Sequence, residues 1–292
     1  MGVSGSTTEP DREIRHHLSV DVEEYYQVSA LEPHLPRERW PEIESRLQEG
    51  MARLLDLLDE FDTRSTFFVL GCVAEKHPGL IRDLAQAGHE IASHGWDHQR
   101  VGRLSPEEFR TQVRDTRALL EDLSGTRVDG YRAPSFSITR GAEWALEIIQ
   151  EEGYGYDSSL YPVRRPGYGY AGGERGITTL ELEGGNLVEV PPATLRVAGA
   201  NLPVGGGGSL RHLPLGLVRA ALTRYGRNGG GATLYLHPWE LDPDQPRVEG
   251  TSWLTRLRHY GGLRKTEPRL RRLLSEFRFQ TIRQTLGEKG YL

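Results

Sequence analysis

The 292-residue chain reads as an α/β protein, a parallel sheet or barrel with helices packed over it. Three observations predict this. Apolar runs of strand length alternate with amphipathic stretches of helical period from residue 17 to residue 157. The helix-like stretches carry start and stop signals. The residues capable of chemistry fall where the expected strands run out, which is where barrels and open α/β sheets place their sites.

Taken in order, residues 1–13 are polar and acidic and read as a disordered leader. His17-Leu18-Ser19-Val20 is a short strand ending at the acidic run Asp21-Val22-Glu23-Glu24. Ser45 to Phe61 is a helix, because Leu47, Met51, Leu54, Leu55 and Leu58 recur at helical spacing. Thr66 to Leu70 is continuously apolar and β-branched, as in a strand covered on both faces. Pro78 opens a helix that stops at Gly88. A strand from His89 to Ser93 delivers His94. Ser105-Pro106-Glu107-Glu108 then starts another helix, with its cap, proline and first-turn acids in place. Val128 to Tyr131 is a strand, Thr139 to Glu152 a helix, and Gly155 to Asp157 a strand end.

Between Tyr161 and Leu213 the pattern weakens into a Gly-, Pro- and Tyr-rich stretch with one strand at Asn186 to Val190. Such a stretch in an enzyme is usually a binding loop or lid. The glycine runs 205–208 and 229–231 lack the companions of a phosphate loop and read as tight turns. Thr233 to Leu236 is a last buried strand, and a basic helical segment closes the chain. Residues 14–292 therefore read as a single domain with an insertion around 161–213.

Composition excludes several classes. With 37% apolar and 26% charged residues the chain is globular, and disorder is excluded. A net charge of −5 argues against general nucleic-acid affinity. The charge is uneven: Arg247 to Lys289 holds 11 Lys/Arg against 4 Asp/Glu, a solvated helix face or a surface for something anionic. The single cysteine, Cys72, lies beside an apolar strand and reads as a structural thiol in a reducing compartment. No stretch has signal-peptide or membrane-span character, so a cytoplasmic setting is expected.

The chemistry centres on Ser93-His94-Gly95-Trp96-Asp97-His98. Imidazoles four residues apart share a face of a helix or tight helical turn, and neutral imidazole is the commonest side-chain zinc ligand. Hydrolysing an amide with a metal needs an open metal position, a base, an acid and an oxyanion stabiliser. His94, His98 and a carboxylate give three ligands and leave room for water. Asp21 and Glu23 alternate along an extended segment, so one can bind metal while the other serves as base. Arg132, before Ala133-Pro134, would keep such a carboxylate ionised and oriented. His237 could protonate a leaving amine, with Asp157 holding it charged. His-Glu-x-x-His, Gly-x-Ser-x-Gly and Cys-x-x-Cys are all absent.

Asp-x-Glu, Ser-His-x-x-x-His, Arg-x-Pro, Asp-Ser-Ser and Leu-His-Pro, in this order from His16 to Thr285, resemble the polysaccharide deacetylase superfamily. The resemblance implies a distorted (β/α) barrel with fewer than eight regular repeats and a divalent metal, usually zinc, with cobalt as a substitute. By position it makes Asp21 the catalytic base and His94 and His98 metal ligands. It makes Arg132 the partner of the base, His237 the general acid, Asp157 its support, and the Ser135 N–H an oxyanion donor. Many members have two adjacent aspartates where this chain has Asp21-Val22, so Glu23 is the expected third ligand, with Glu24 an alternative. Trp96, Tyr161, Tyr168, Tyr170 and Trp239 could stack on sugar rings.

Asp-Val-Glu-Glu-Tyr-Tyr, the Asn201-Leu202-Pro203-Val204 stretch with its glycines, and His237-Pro238-Trp239-Glu240 further resemble bacterial exosortase-associated exopolysaccharide deacetylases. That implies an N-acetylated polysaccharide or its lipid-linked precursor as partner, worked on at the inner face of the membrane beside a synthesis complex. Hydrolysis of small cyclic amides and non-catalytic glycan binding are the rival expectations.

Overall fold

The alternating apolar and amphipathic segments fold into one large mixed sheet flanked by helices, with a separate two-stranded antiparallel hairpin spanning residues 194–203. The computed structural model describes residues 15–165 and 167–292, so the expected leader lies outside the described residues. Strand β1 (Arg15–Val22) is buried from His16 onward, and helix α1 (Leu47–Glu60) turns Leu47, Met51, Leu54 and Leu58 into the core. Next come β2 (Thr66–Val69), α2 (Gly71–Lys76), α3 (Pro78–Gln86) and β3 (Glu90–Ser93). Gly88 follows α3 at φ +81°, the left-handed conformation its stop signal requires. Helix α4 (Pro106–Ser124) starts as its sequence demands, with the Ser105 hydroxyl accepting from the Glu108 N–H in a capping box. Then follow β4 (Gly130–Tyr131), α5 (Trp144–Glu151) and β5 (Tyr156–Asp157).

Residues 161–213, expected as a largely irregular insertion, are more regular than that. They contain β6 (Thr178–Leu182), β7 (Gly185–Glu189), β8 (Thr194–Val197), β9 (Ala200–Pro203) and α6 (Gly207–His212). Burial alternates along the half-exposed β6, a weak pattern that short strands in a Gly-rich context do not advertise. Helix α7 (Leu215–Arg227) leads to β10 (Thr233–Leu236), then α8 (Trp253–Tyr260), α9 (Thr266–Glu276), β11 (Arg278–Gln280) and α10 (Ile282–Glu288).

The main sheet runs β10-β1-β2-β3-β4-β5-β7-β6, parallel except for the β6–β7 pair, with β11 on β1. The ladder does not close. Two single parallel bridges, Pro192 to Thr233 and Gly206 to Tyr235, join the chain after β7 to β10. The expected barrel is thus a sheet curled until its ends touch. The central parallel strands are buried along their length: Phe67, Val69 and Ile91 pack on the helices, while Phe68, Ala92, Tyr156 and Val188 pack together on the inner face. Among the described residues no helix is long and apolar enough to cross a membrane.

Packing also places the site. A Cβ on Gly50 of α1 would collide with the Pro238 carbonyl, so glycine lets α1 lie directly on the turn after His237. The C-terminal ends of β1, β3, β4, β5 and β10 carry or immediately precede Asp21, His94, Arg132, Asp157 and His237.

Candidate metal-hydrolase active site

Glu23, His94 and His98 form a three-residue cluster whose ligand atoms all lie within 4.8 Å of one another. The histidines meet through a loop rather than a helical turn. Gly95 sits at φ +76° and His98 at φ +58°, a conformation costly for a non-glycine residue and common at functional sites. The His94 Nδ1 lies 2.8 Å from the Arg132 carbonyl, which makes Nδ1 the protonated nitrogen and leaves Nε2 as the ligand atom. Burial lowers His94 to about 4, so its imidazole is neutral, as a metal ligand must be.

Glu23 Oε2 lies 2.8 Å from His98 Nε2 yet has no hydrogen-bond partner although buried. Two ligand atoms that approach without hydrogen-bond geometry are aimed at a shared point, and a cation there would satisfy both. The donor set, two imidazoles and one carboxylate with water to complete it, fits a catalytic divalent metal. Glu24, the alternative ligand, is spent elsewhere. It accepts from the Ser45 hydroxyl and the Arg46 N–H at the start of α1.

Asp21 pairs with a fully buried arginine. Arg132 Nη1 donates to Asp21 Oδ1 at 2.6 Å and to Ser19 Oγ, and Nη2 donates to Ser158 Oγ. Its guanidinium lies 4.0 Å from the Phe68 ring centroid. Removing either member would leave an uncompensated buried charge, so the pair fixes the Asp21 carboxylate in one orientation. Pro134 and Ser135 follow on a tight turn, with Ser135 at φ +55° and its hydroxyl 2.7 Å from Ser29 Oγ.

His237 completes the site. Its Nε2 lies 3.4 Å from Glu23 Oε1 and 3.9 Å from Asp21 Oδ2. Burial favours its neutral form, but the carboxylates of Glu23, Glu240 and Asp21 outweigh that and raise it to about 9. The sequence expectation that Asp157 supports His237 is corrected here. His237 Nδ1 is 3.0 Å from Glu240 Oε2, and Glu240 in turn accepts from Arg211 Nε at 2.8 Å. Burial would raise Glu240, yet Arg211 and His237 hold it down at about 2.

Asp157 instead accepts from the Ser159 hydroxyl and N–H and stands in register with Glu189 on β7. Burial raises both carboxyls, and the neighbouring Asp157 charge raises Glu189 further. Ser159 Oγ accepts the Ala133 N–H, so Asp157 braces the Arg132 turn rather than the acid.

Glu240 and Arg211 escaped the sequence reading. The readable signal was the position of Glu240 three residues after His237, one helical turn on. The glycine run also bears on it, since a Cβ on Gly207 would collide with the Glu240 carboxylate. Trp239 is corrected as well. It is 6% exposed, donates Nε1–H to Glu23 Oε1, and stacks on His237 and on His259 at 4.4 Å, so it is wall rather than sugar platform. Tyr161 is likewise buried.

Three residues able to ligate a cation, an arginine-pinned carboxylate and a carboxylate-held histidine are the parts that metal-assisted hydrolysis requires. Residues 41–154 match the polysaccharide deacetylase family and 158–287 match a Domain of unknown function (DUF3473). The chain carries a polysaccharide deacetylase domain. It is 32% identical over 100 residues to a peptidoglycan-N-acetylglucosamine deacetylase of Bacillus cereus, a match covering 34% of this chain and 36% of the relative. It is 34% identical over 82 residues to the peptidoglycan-N-acetylmuramic acid deacetylase PdaC of Bacillus subtilis, covering 28% and 18%. The chain thus spans about a fifth to a third of these curated relatives.

A crystal structure of a Mycobacterium smegmatis protein, with polysaccharide deacetylase as its suggested function, superposes at TM-score 0.63 and 21% identity. The match covers 97% of this chain and 92% of that one. A CE4 family pseudoenzyme of Bacillus anthracis superposes at TM-score 0.50 and 14% identity, covering 94% and 66%. The fold is therefore shared with an inactive relative, and activity must be argued from side chains.

Proposed function

We propose that the protein hydrolyses N-acetyl groups from amino sugars of a bacterial exopolysaccharide or its precursor, releasing acetate. The observation that carries this is the convergence of the Asp21–Arg132 pair and His237, 3.9 Å from Asp21, beside the Glu23, His94, His98 cluster. Binding alone needs no base and acid beside a cluster of metal-ligating side chains.

A divalent ion held by Glu23, His94 and His98, zinc or cobalt by the chemistry of these donors, would polarise the acetyl carbonyl and acidify water. Asp21, oriented by Arg132, accepts the proton of the attacking water. His237, held protonated by Glu240, delivers a proton to the sugar nitrogen as the C–N bond breaks, leaving acetate and an amine. The Ser135 N–H is our candidate second donor to the developing oxyanion.

The ligand is proposed as a glycan rather than a small cyclic amide. The two curated relatives are named as deacetylases of peptidoglycan sugars, which favours a glycan over a cyclic amide. The relatives act on two different sugars by their names, so similarity does not select one.

The test is acetate release from N-acetylglucosamine oligomers by zinc- or cobalt-loaded protein, beside Asp21→Asn and His94→Ala. Release that disappears in both variants supports the reading. No release from the oligomers or a lipid-linked precursor, despite bound metal, would overturn it.

A further inference from the structure

Helix α8 carries the strongest concentration of exposed apolar side chains among the described residues. Trp253 is 75% exposed, Leu257 51% and Leu254 39%. Trp253 and Leu257 are four residues apart and share a face, so water meets one apolar patch rather than scattered side chains. Arg256 and Arg258 are exposed on the same helix, and Arg247 lies over the Tyr260 ring. None of these three arginines has a carboxylate partner among the described residues. Other basic side chains of this C-terminal segment are committed: Arg264 to Asp244, Arg271 to Glu60, Arg272 to Glu276 and Arg283 to Asp129. Positive charge without a carboxylate partner therefore flanks this apolar patch.

The C-terminal end of α8 is part of the catalytic wall. His259 and Tyr260 are buried, His259 stacks on Trp239, and Trp239 stacks on His237 at 5.1 Å. The same helix thus has its buried end toward the general acid and its exposed apolar patch in water.

We propose that α8 docks the protein on an anionic lipid surface. Trp253 and Leu257 enter the headgroup region, while Arg247, Arg256 and Arg258 pair with lipid phosphates. An apolar helix face flanked by cations is what interfacial binding needs, and tryptophan favours that depth. Three exposed side chains fall far short of the roughly 800 Å² per partner of a stable protein interface. Docking through α8 would hold the acid side of the active site against the membrane, where lipid-linked saccharides are found. The binding itself goes beyond the deacetylase reading and does not depend on it.

The experiment is sedimentation of the full-length, metal-loaded protein with vesicles of phosphatidylcholine alone or mixed with phosphatidylglycerol. Binding is expected only to the mixed vesicles, weakened by salt and by Arg256→Gln/Arg258→Gln. The Trp253→Ala/Leu257→Ala double variant should lower partitioning by about tenfold or more while releasing acetate from soluble oligomers at the wild-type rate. No binding to mixed vesicles, or equal binding by the double variant, overturns the proposal. Loss of self-association in the double variant, with no vesicle binding by the wild type, would make the face a protein interface instead. Vesicle binding without acetate release would sink the deacetylase reading alone.

Discussion

On one side of the site, Asp21, Glu23, His94 and His98 leave the ends of β1 and β3 on short loops, with Arg132 behind them from β4. On the other, His237 leaves β10 into a single turn and is held by Glu240 and Arg211. The first side assembles ligands whose charges a metal would satisfy. The second is a chain of alternating charge, Arg211 to Glu240 to His237, that needs no metal to be in place. Of the two matched stretches, His94, His98 and Arg132 lie in the first and Arg211, His237 and Glu240 in the second, while Asp21 and Glu23 lie in neither. The two sides meet at Glu23, a candidate ligand that also lies 3.4 Å from His237 Nε2, and variants on each side test them in turn.

The largest effect should come from the metal side. His94→Ala should release bound metal and lower kcat/KM by about a thousandfold or more, if the ion supplies several kcal/mol. Metal content and acetate release measured on one preparation check it, and retained stoichiometric metal would remove His94 from the ligand set. Asp21→Asn should cost about 10²–10⁴ in kcat with metal content unchanged. Loss of metal there would make Asp21 a ligand and leave the base unassigned.

A smaller effect belongs to the acid side. Glu240→Gln should lower kcat by roughly ten- to a hundredfold, as for other groups that orient a catalytic imidazole. The sign of its pH dependence follows from the raised His237. The acid works while protonated and fails as pH rises through its pKa, and removing the Glu240 charge lowers that pKa. The alkaline limb of the rate profile should therefore move to lower pH. Asp157→Asn should leave that limb in place; a limb that follows Asp157 and ignores Glu240 would reverse our assignment of the supporting carboxylate.

The smallest effect tests the seam between the halves. Gly50→Ala puts a methyl group against the Pro238 carbonyl and should destabilise by about 1–3 kcal/mol in denaturant unfolding. An unchanged midpoint would show that α1 does not hold the acid turn.

Much of the site was legible because its residues stand in short motifs at strand ends, and the order of strands was itself readable. Helix limits followed local chemistry: Ser105 capped α4, and Gly88 ended the α3 segment. Where local signals were thin the reading ran long or missed. The helix expected from Thr139 begins at Trp144, and the strand expected from Val128 is only Gly130–Tyr131. The β8–β9 hairpin had no alternating burial to announce it.

The sequence by itself determined the α/β alternation, the histidine pair and the acidic run, because periodicity and capping act within a few residues. It left Glu23 and Glu24 open, since adjacent carboxylates look alike until one of them caps α1. It gave Asp157 to His237, since a one-dimensional order cannot say that β5 faces β7 while Glu240 turns back beneath the imidazole. Those choices belong to the tertiary structure. Burial makes every charge find a partner, and which partner is in reach depends on how the sheet curls.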